Sequence, residues 1–143
     1  MIYYTTSWSD IEDLDELYSE WVGHVPEFKD VSSNLHHIVA RDKKDNKFIG
    51  AAQLIVVVDK IWDRRWGLVE NVYVAKAYRN QGVATEIMRH VETTAQFWDC
   101  KFIKLTSSHD KTAGHALYKS LGYEEGYSFR KEIKKNDEKV SSF

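Results

Sequence analysis

The stretch LVENVYVAKAYRNQGVATEIMRHVE, residues 68–92, decides the fold because its hydrophobic period changes along it. Residues 68–74 are mostly β-branched or aromatic, which predicts a buried strand. From Val83 onward, apolar residues recur at steps of three and four, which predicts an amphipathic helix from about Gln81 to Trp98. The strand therefore passes to the helix through a short polar loop around Gly82.

This loop has the composition of an anion-binding turn. The first N–H groups of a helix lack internal partners, and the helix dipole adds positive charge there. Gly82 lets the backbone approach a ligand, Ala84 keeps the next turn shallow, and Arg79 adds a charge at the mouth. The chemistry that fits is a phosphate or pyrophosphate, although neither a P-loop nor a dinucleotide-binding motif is present. On the motif alone, a glycine that merely eases a tight turn is equally compatible.

Composition excludes several classes of protein. The 143 residues are 43% hydrophobic and 29% charged, with a formal net charge of −2 and no basic stripe, so we expect no nucleic acid partner. The longest apolar run, LIVVV, is too short to span a membrane, and no signal peptide precedes it, so we expect a cytoplasmic protein. Cys100 is the only cysteine and is interpreted as core filler, with no disulfide and no metal site.

The remaining chain predicts one mixed α/β domain over residues 1–135, followed by a polar tail at 136–143. Ser9 and Glu12 form a predicted capping box for the first helix, and Gly122 is the expected C-cap of the last. Short connections predict that the early strands form an antiparallel meander. Strands are predicted at 2–6, 37–42, 48–59, 66–74, 102–108 and 127–133, and helices at 10–22, 32–37, 81–98 and 113–121.

The loop pattern R-x-x-G-x-A resembles the acyl-CoA pyrophosphate loop of the GNAT superfamily of N-acetyltransferases, [RQ]-x-x-G-x-[GA]. A later stretch, KTAGHALYKSLGY at 111–123, looks like that family's aromatic-bearing helix, which ends in L-G-[FY]. Together the resemblance covers residues 66–125. It implies a three-layer α+β fold, in which a mostly antiparallel sheet of six to seven strands is flanked by about four helices. It also implies acetyl-CoA as co-substrate.

The resemblance assigns cofactor contacts residue by residue. It implies that the central strand opens at a bulge, where backbone groups of the strand hold the pantetheine arm and polarise the thioester carbonyl. Lys111 stands where many members have an asparagine that helps to hold CoA, which is a departure from the pattern. The implied acetyl-CoA contacts are Val72, Tyr73, Val74, Arg79, Asn80, Gln81, Gly82, Val83, Ala84, Thr85 and Lys111.

The resemblance also implies the catalytic groups. Tyr118 matches the family tyrosine that protonates the departing thiolate, with a packed rim aromatic as the ordinary alternative. Glu70 would take the amine proton, directly or through water, and would border the acceptor; the alternative is a surface or ion-paired glutamate. Trp21, at the end of the first helix, would line the acceptor site.

The acceptor is predicted to be a primary amine of a small molecule. Six acidic residues and no basic ones lie between Asp10 and Glu20, which indicates either a solvated helix face or attraction of a polycationic amine. A protein N-terminus or lysine is the alternative acceptor, and a non-catalytic acyl-CoA-binding regulatory module is the alternative of another class. A homodimer is common in the family, and the aromatic ends IYY and YSF could supply its edge-strand interface.

Overall fold

The structure, a computed structural model, describes residues 1–7, 14–24, 34–108 and 110–134. Within these ranges one five-stranded sheet has the spatial order β1-β2-β3-β4-β5. No helix of the described residues is long and apolar enough to cross a membrane. The strands are β1 (Ile2–Ser7), β2 (Leu35–Asp42), β3 (Lys47–Asp59), β4 (Arg64–Val74) and β5 (Cys100–Leu105), and the helices are α1 (Asp15–Val22), α2 (Val83–Phe97) and α3 (Thr112–Ser120).

The first four strands form the predicted antiparallel meander. The β2–β3 connection turns at Asn46, whose φ of 62° is a left-handed conformation that asparagine tolerates better than most residues. β5 instead pairs with β4 in parallel, because α2 carries the chain back across the sheet between them. β4 is therefore the strand at which the sheet changes from antiparallel to parallel pairing.

Helices cover both faces of the sheet, which confirms the predicted three layers. On one face, Ile87, Met88 and Val91 of α2 are fully buried against Ile38 and Leu54 of the sheet. α3 packs on this same side through its apolar residues. On the other face, α1 forms a second cluster with Val39, Ala51, Tyr73 and Ala75. We call these clusters the α2-side core and the α1-side core.

Two sequence predictions about elements are wrong. Residues 127–133 do not form a strand: Tyr127, Phe129 and Ile133 are 98%, 96% and 86% exposed, and their backbone pairs with no strand of the described chain. The predicted helix at 32–37 is also absent over Leu35–His37, which belongs to β2 and pairs with β3. The strand conformation prevails there because Leu35, His36 and His37 all pair with β3.

Some predictions concern residues outside the described ranges. These are the capping box of Ser9 and Glu12, the first turns of the first helix, and the tail at 136–143. Among the described residues there are five strands and three α-helices, slightly fewer than the six to seven strands and about four helices expected.

Candidate active site

β4 extends beyond the point at which its pairing with β5 ends, and this opens the sheet. The β4–β5 pairing ends at Val69, opposite Leu105, whereas β4 continues to Val74 with only β3 beside it. Over residues 70–74, one edge of β4 thus has no strand partner in the described part of the chain. Backbone N–H and C=O groups along such an edge are available to a ligand. The opening that the resemblance implied is present, and it begins at Glu70.

A β-bulge lies at the start of this opening. Ala51 pairs with Tyr73 while Gln53 pairs with Glu70, so two steps on β3 face three on β4. Asn71 absorbs the extra residue with a φ of 54°. Its side-chain Nδ2 donates a hydrogen bond of 2.7 Å to Oε1 of Gln53. Sequence reasoning missed both residues, although an asparagine within a β-branched run was a usable signal.

The loop after β4 ends in an open helix N-terminus. Gly82 is the N-cap of α2 with a φ of 79°, and Asn80 is also left-handed at 61°. No side chain caps this end of α2, so the N–H groups of its first turn remain available. A Cβ built on Gly82 would meet no atom within 4 Å, so the space above it is open. This geometry fits the pyrophosphate cradle expected for acetyl-CoA.

Two side chains fasten that loop to the sheet. Arg79 Nε donates 3.0 Å to the carbonyl of Val74, and its guanidinium carbon lies 5.3 Å from the centre of the Tyr73 ring. Tyr78 donates 2.6 Å to a carboxylate oxygen of Asp42, which raises the pKa of Tyr78 to about 12. Arg79 thus folds back over the strand, whereas its charge was predicted to lie at the mouth of the loop.

The residues predicted to contact the cofactor differ in how exposed they are. Val83 is 2% exposed and Tyr73 is 7% exposed, so the side chains of these two residues are buried in the core. Lys111, by contrast, is exposed at the N-cap of α3. Asn80 and Gln81 are exposed in the loop, and Ala84 and Thr85 are partly buried in the first turn of α2.

Tyr118 projects from α3 toward the α2-side core. It is partly buried there, as are Val72 and Leu105, which lie at the two sides of the opening. Its ring meets that of Tyr123 edge-on, with the ring centres 5.9 Å apart. Burial raises the pKa of Tyr118 above its ordinary value of 10, so the hydroxyl keeps its proton at neutral pH. A protonated phenol is what a general acid requires.

The other face of β4 carries Glu70 and the end of α1. Because Val69 belongs to the α2-side core, alternation along the strand turns Glu70 to the α1 side. There Trp21 stacks on Tyr73, with ring centres 5.0 Å apart. The Tyr73 hydroxyl donates 2.7 Å to Glu20, whose same carboxylate oxygen accepts from the Lys76 N–H at 3.3 Å. From the sequence, Glu20 was named only as one of the acidic residues of the first helix.

The two predicted catalytic groups lie on opposite faces of the sheet. Tyr118 packs on the α2 side, whereas Glu70 lies on the α1 side of β4. If Tyr118 donates and Glu70 accepts a proton, as the resemblance implies, this placement suits transfer of an acyl group between two bound molecules. Among the described residues, no group of three His, Cys, Asp or Glu side chains could hold a metal ion.

Comparison with known families agrees with this geometry. The family described as Acetyltransferase (GNAT) matches residues 3–123, which include the opening, the loop and α3. The chain belongs to the GNAT family of acetyltransferases. The match continues from β1 to Tyr123 and ends before the exposed segment that follows.

Two relatives refine the comparison within the GNAT family. The chain is 36% identical over 59 residues to aminoglycoside N(6′)-acetyltransferase type 1 of Acinetobacter haemolyticus, which is 41% of each chain. It is 32% identical over 57 residues to the enzyme of the same name from Acinetobacter genomosp. 13, covering 40% of this chain and 39% of that one. The alignments thus span about two fifths of these relatives' length.

Solved structures share the fold at low sequence identity. An aminoglycoside acetyltransferase from an uncultured soil metagenomic sample superposes with a TM-score of 0.77 at 16% identity, over 94% of this chain and 99% of that one. An acetyltransferase of Trypanosoma brucei gives a TM-score of 0.75 at 17% identity, over 93% and 100%. These similarities establish the architecture alone.

Proposed function

We propose that this protein transfers the acetyl group of acetyl-CoA to a primary amine of a small molecule, by direct attack in a ternary complex. The observation that carries the proposal is the unpaired stretch of β4 at 70–74, which leads directly into the uncapped N-terminus of α2 at Gly82. One surface thereby offers main-chain groups for an extended pantetheine arm and a cradle for its pyrophosphate.

In the proposed reaction, each proton has a donor and an acceptor. Glu70 takes a proton from the amine, directly or through water, and the neutral nitrogen attacks the thioester carbonyl carbon. A main-chain N–H of Val72–Val74 donates to the oxyanion that forms. When the intermediate collapses, the C–S bond breaks and Tyr118 protonates the thiolate. The proton that the nitrogen still carries passes through water to restore the Tyr118 hydroxyl, and Glu70 releases its proton to solvent. The products are the N-acetylated amine and CoA.

The acceptor proposal rests on α1 and on the relatives. The described turns of α1 carry Asp15, Glu16 and Glu20 and no basic residue, which favours a cationic acceptor near Trp21. Two relatives that are named for aminoglycosides support a polycationic small molecule. A protein N-terminus or lysine is the alternative acceptor, and a non-catalytic acyl-CoA-binding regulatory module is the alternative of another class.

A thiol-release assay tests these alternatives directly. Acetyl-CoA is offered with a panel containing an aminoglycoside, a polyamine, a peptide with a free N-terminus and a lysine peptide. We expect turnover with the aminoglycoside or the polyamine, and a kcat/KM that falls steeply with salt because attraction between exposed charges is screened. Turnover confined to the peptides would select the protein acceptor. Binding of acetyl-CoA without turnover on any amine would favour the regulatory module.

We also propose that residues 1–135 act as one cytoplasmic acetyltransferase domain that forms a homodimer. Cys100 is a free thiol, as is usual in a reducing compartment. The dimer proposal rests on the outer edge of β5, which pairs with no strand in the described ranges, and on the exposed apolar residues Tyr127, Phe129 and Ile133. Sedimentation that gives a monomer at all concentrations would contradict it.

A further inference from the structure

The Asn71–Gln53 hydrogen bond spans the point at which β4 leaves regular pairing. Asn71 is the left-handed residue of the bulge, and Gln53 is the β3 residue at which the regular register resumes. The bond of 2.7 Å ties the extra residue of one strand to the side chain of the other. Side chains therefore link the two strands at the bulge, where the backbone hydrogen bonds of the ladder are interrupted.

A bulge at this place needs such a constraint. A left-handed φ costs asparagine less than other residues with a side chain, but it still costs more than the extended conformation of a regular strand. Among the described strands only β3 pairs with β4 here, because the pairing of β4 with β5 has ended at Val69. If β4 relaxed toward regular pairing, the residues after the bulge would change face, since the side-chain period of a strand is two.

We propose that Asn71 and Gln53 are positioning residues, which hold the bulge so that main-chain groups of Val72 and Tyr73 face the opening. The inference rests on the proposed function, because those groups are the ones assigned to the acetyl-CoA thioester and pantetheine arm. Neither side chain touches the reacting atoms in this scheme. They act through the conformation of β4.

The test compares binding of two ligands to the full chain. Asn71→Gly keeps the left-handed conformation but removes the amide, and Gln53→Leu keeps the approximate size but removes the acceptor. Dissociation constants are measured for acetyl-CoA and for 3′,5′-ADP, which carries a nucleotide handle without a pantetheine arm. Asn46→Gly is the matched control, since Asn46 has a φ of 62° and accepts 3.1 Å from Arg41 at a distant turn.

Each single variant should weaken acetyl-CoA binding roughly three- to tenfold, the effect of losing one hydrogen bond. The double variant should be no weaker than the worse single one, because both remove the same bond. Affinity for 3′,5′-ADP and the behaviour of Asn46→Gly should match the unaltered chain. Equal loss for both ligands would show general damage to the site and overturn the positioning role.

Unchanged acetyl-CoA affinity in both variants, with normal binding by the unaltered chain, would overturn the inference alone. Failure of the unaltered chain to bind acetyl-CoA would overturn the proposed function and the inference with it. Thermal unfolding of each variant is measured alongside, so that a variant that does not fold is recognised. If Gln53→Leu does not fold, Gln53→Ser takes its place. The ratio of its dissociation constants for acetyl-CoA and for 3′,5′-ADP is then compared with that of the unaltered chain.

Discussion

The strand-loop-helix unit of residues 64–97 and the segment of residues 123–134 both carry clear apolar patterns, yet only the first becomes regular structure. In the first, Val83, Ile87 and Met88 are at most 2% exposed, whereas Tyr127 and Phe129 of the second are at least 96% exposed. The difference lies in the neighbouring strands with which each region can pair. β4 has β3 and β5 beside it, while the alternation at 127–133 meets no strand of the described chain. A period of two becomes a strand only where another backbone completes its hydrogen bonds.

The boundary between the two regions falls between Tyr123 and Gly126. The Tyr123 N–H donates 3.0 Å to the Tyr118 carbonyl, and its ring packs at the margin of the α2-side core. Glu125 still forms an ion pair of 2.8 Å with Lys119, which lowers the pKa of the exposed Glu125 carboxyl. Beyond it, a Cβ built on Gly126 would meet nothing within 4 Å. The active-site side of this boundary is packed, and the far side is exposed.

The strongest test of the packed region is Tyr118→Phe. We expect kcat to fall roughly 10²- to 10⁴-fold, the usual effect of a general acid, with acetyl-CoA affinity near that of the unaltered chain. Because burial raises the pKa of Tyr118, the unaltered enzyme should lose its acid only above pH 10. Steady-state rates by thiol release, with calorimetry for binding, measure both.

Tyr123→Phe is the matched control, since its buried hydroxyl has no hydrogen-bond partner among the described residues. Removal of an unsatisfied hydroxyl should leave kcat intact. An equal loss of kcat in both variants would assign the effect to packing rather than to proton transfer.

Gly82→Trp should have the next largest effect, a loss of acetyl-CoA affinity of at least roughly 100-fold, because the indole would fill the space above the α2 N-terminus. Calorimetric titration with acetyl-CoA measures it. Gly23→Trp is the matched control, because Gly23 has a φ of 83° and equally open surroundings at the end of α1. If Gly82→Trp binds acetyl-CoA as tightly as Gly23→Trp does, the cradle is elsewhere.

The boundary itself is tested by two alanine substitutions. Tyr123→Ala should lower the free energy of unfolding by about 2 kcal/mol, since a partly buried aromatic ring is lost from the core margin. Tyr127→Ala should change it by less than about 0.5 kcal/mol, as expected of an exposed side chain. Denaturant titration at a protein concentration that keeps the chain monomeric compares them. Similar losses would mean that the far segment is packed after all.

The smallest expected effect concerns His37 in β2. Burial and the neighbouring charge of His36 lower the pKa of His37 below its usual value of 6.5. Acidification therefore protonates the unfolded chain first, so stability is retained above pH 6.5 and is lost as pH falls below it.

His37→Leu should make the melting temperature less sensitive to acid between pH 7.5 and pH 5.5, as judged by thermal unfolding at the two values. The exposed His24, changed to leucine, is the control. A steeper acid loss in His37→Leu than in the unaltered chain would contradict the sign of the shift.

Sequence reasoning succeeded where local pattern and packing agree. The period change at residues 68–92, the meander and the left-handed Gly122 after α3 were all predicted from spacing and turn chemistry. It failed at Leu35–His37, where a short helix was predicted but all three residues pair with β3 and His37 also pairs with β1. Propensity is a weak guide wherever tertiary pairing is available.

The site was less predictable than the fold because its key contacts are non-local. Glu20 meets Tyr73 across 53 positions in sequence, and Asn71 meets Gln53 across 18. No spacing rule connects such pairs, although each residue type was visible. The roles of Glu70, Tyr118 and the cofactor contacts remain predictions, of which the Tyr118 and Gly82 variants test two.

Tyr73 belongs to both halves of the proposed site at once. Its main chain lies along the opening of β4, while its ring contacts Trp21 and Arg79 and its hydroxyl donates to Glu20. A ligand that shifts this residue from one side alters the surface that the other ligand meets. The two binding equilibria are then thermodynamically linked, and by reciprocity each ligand changes the affinity of the other by the same factor. Saturation with CoA should therefore change the dissociation constant of the amine.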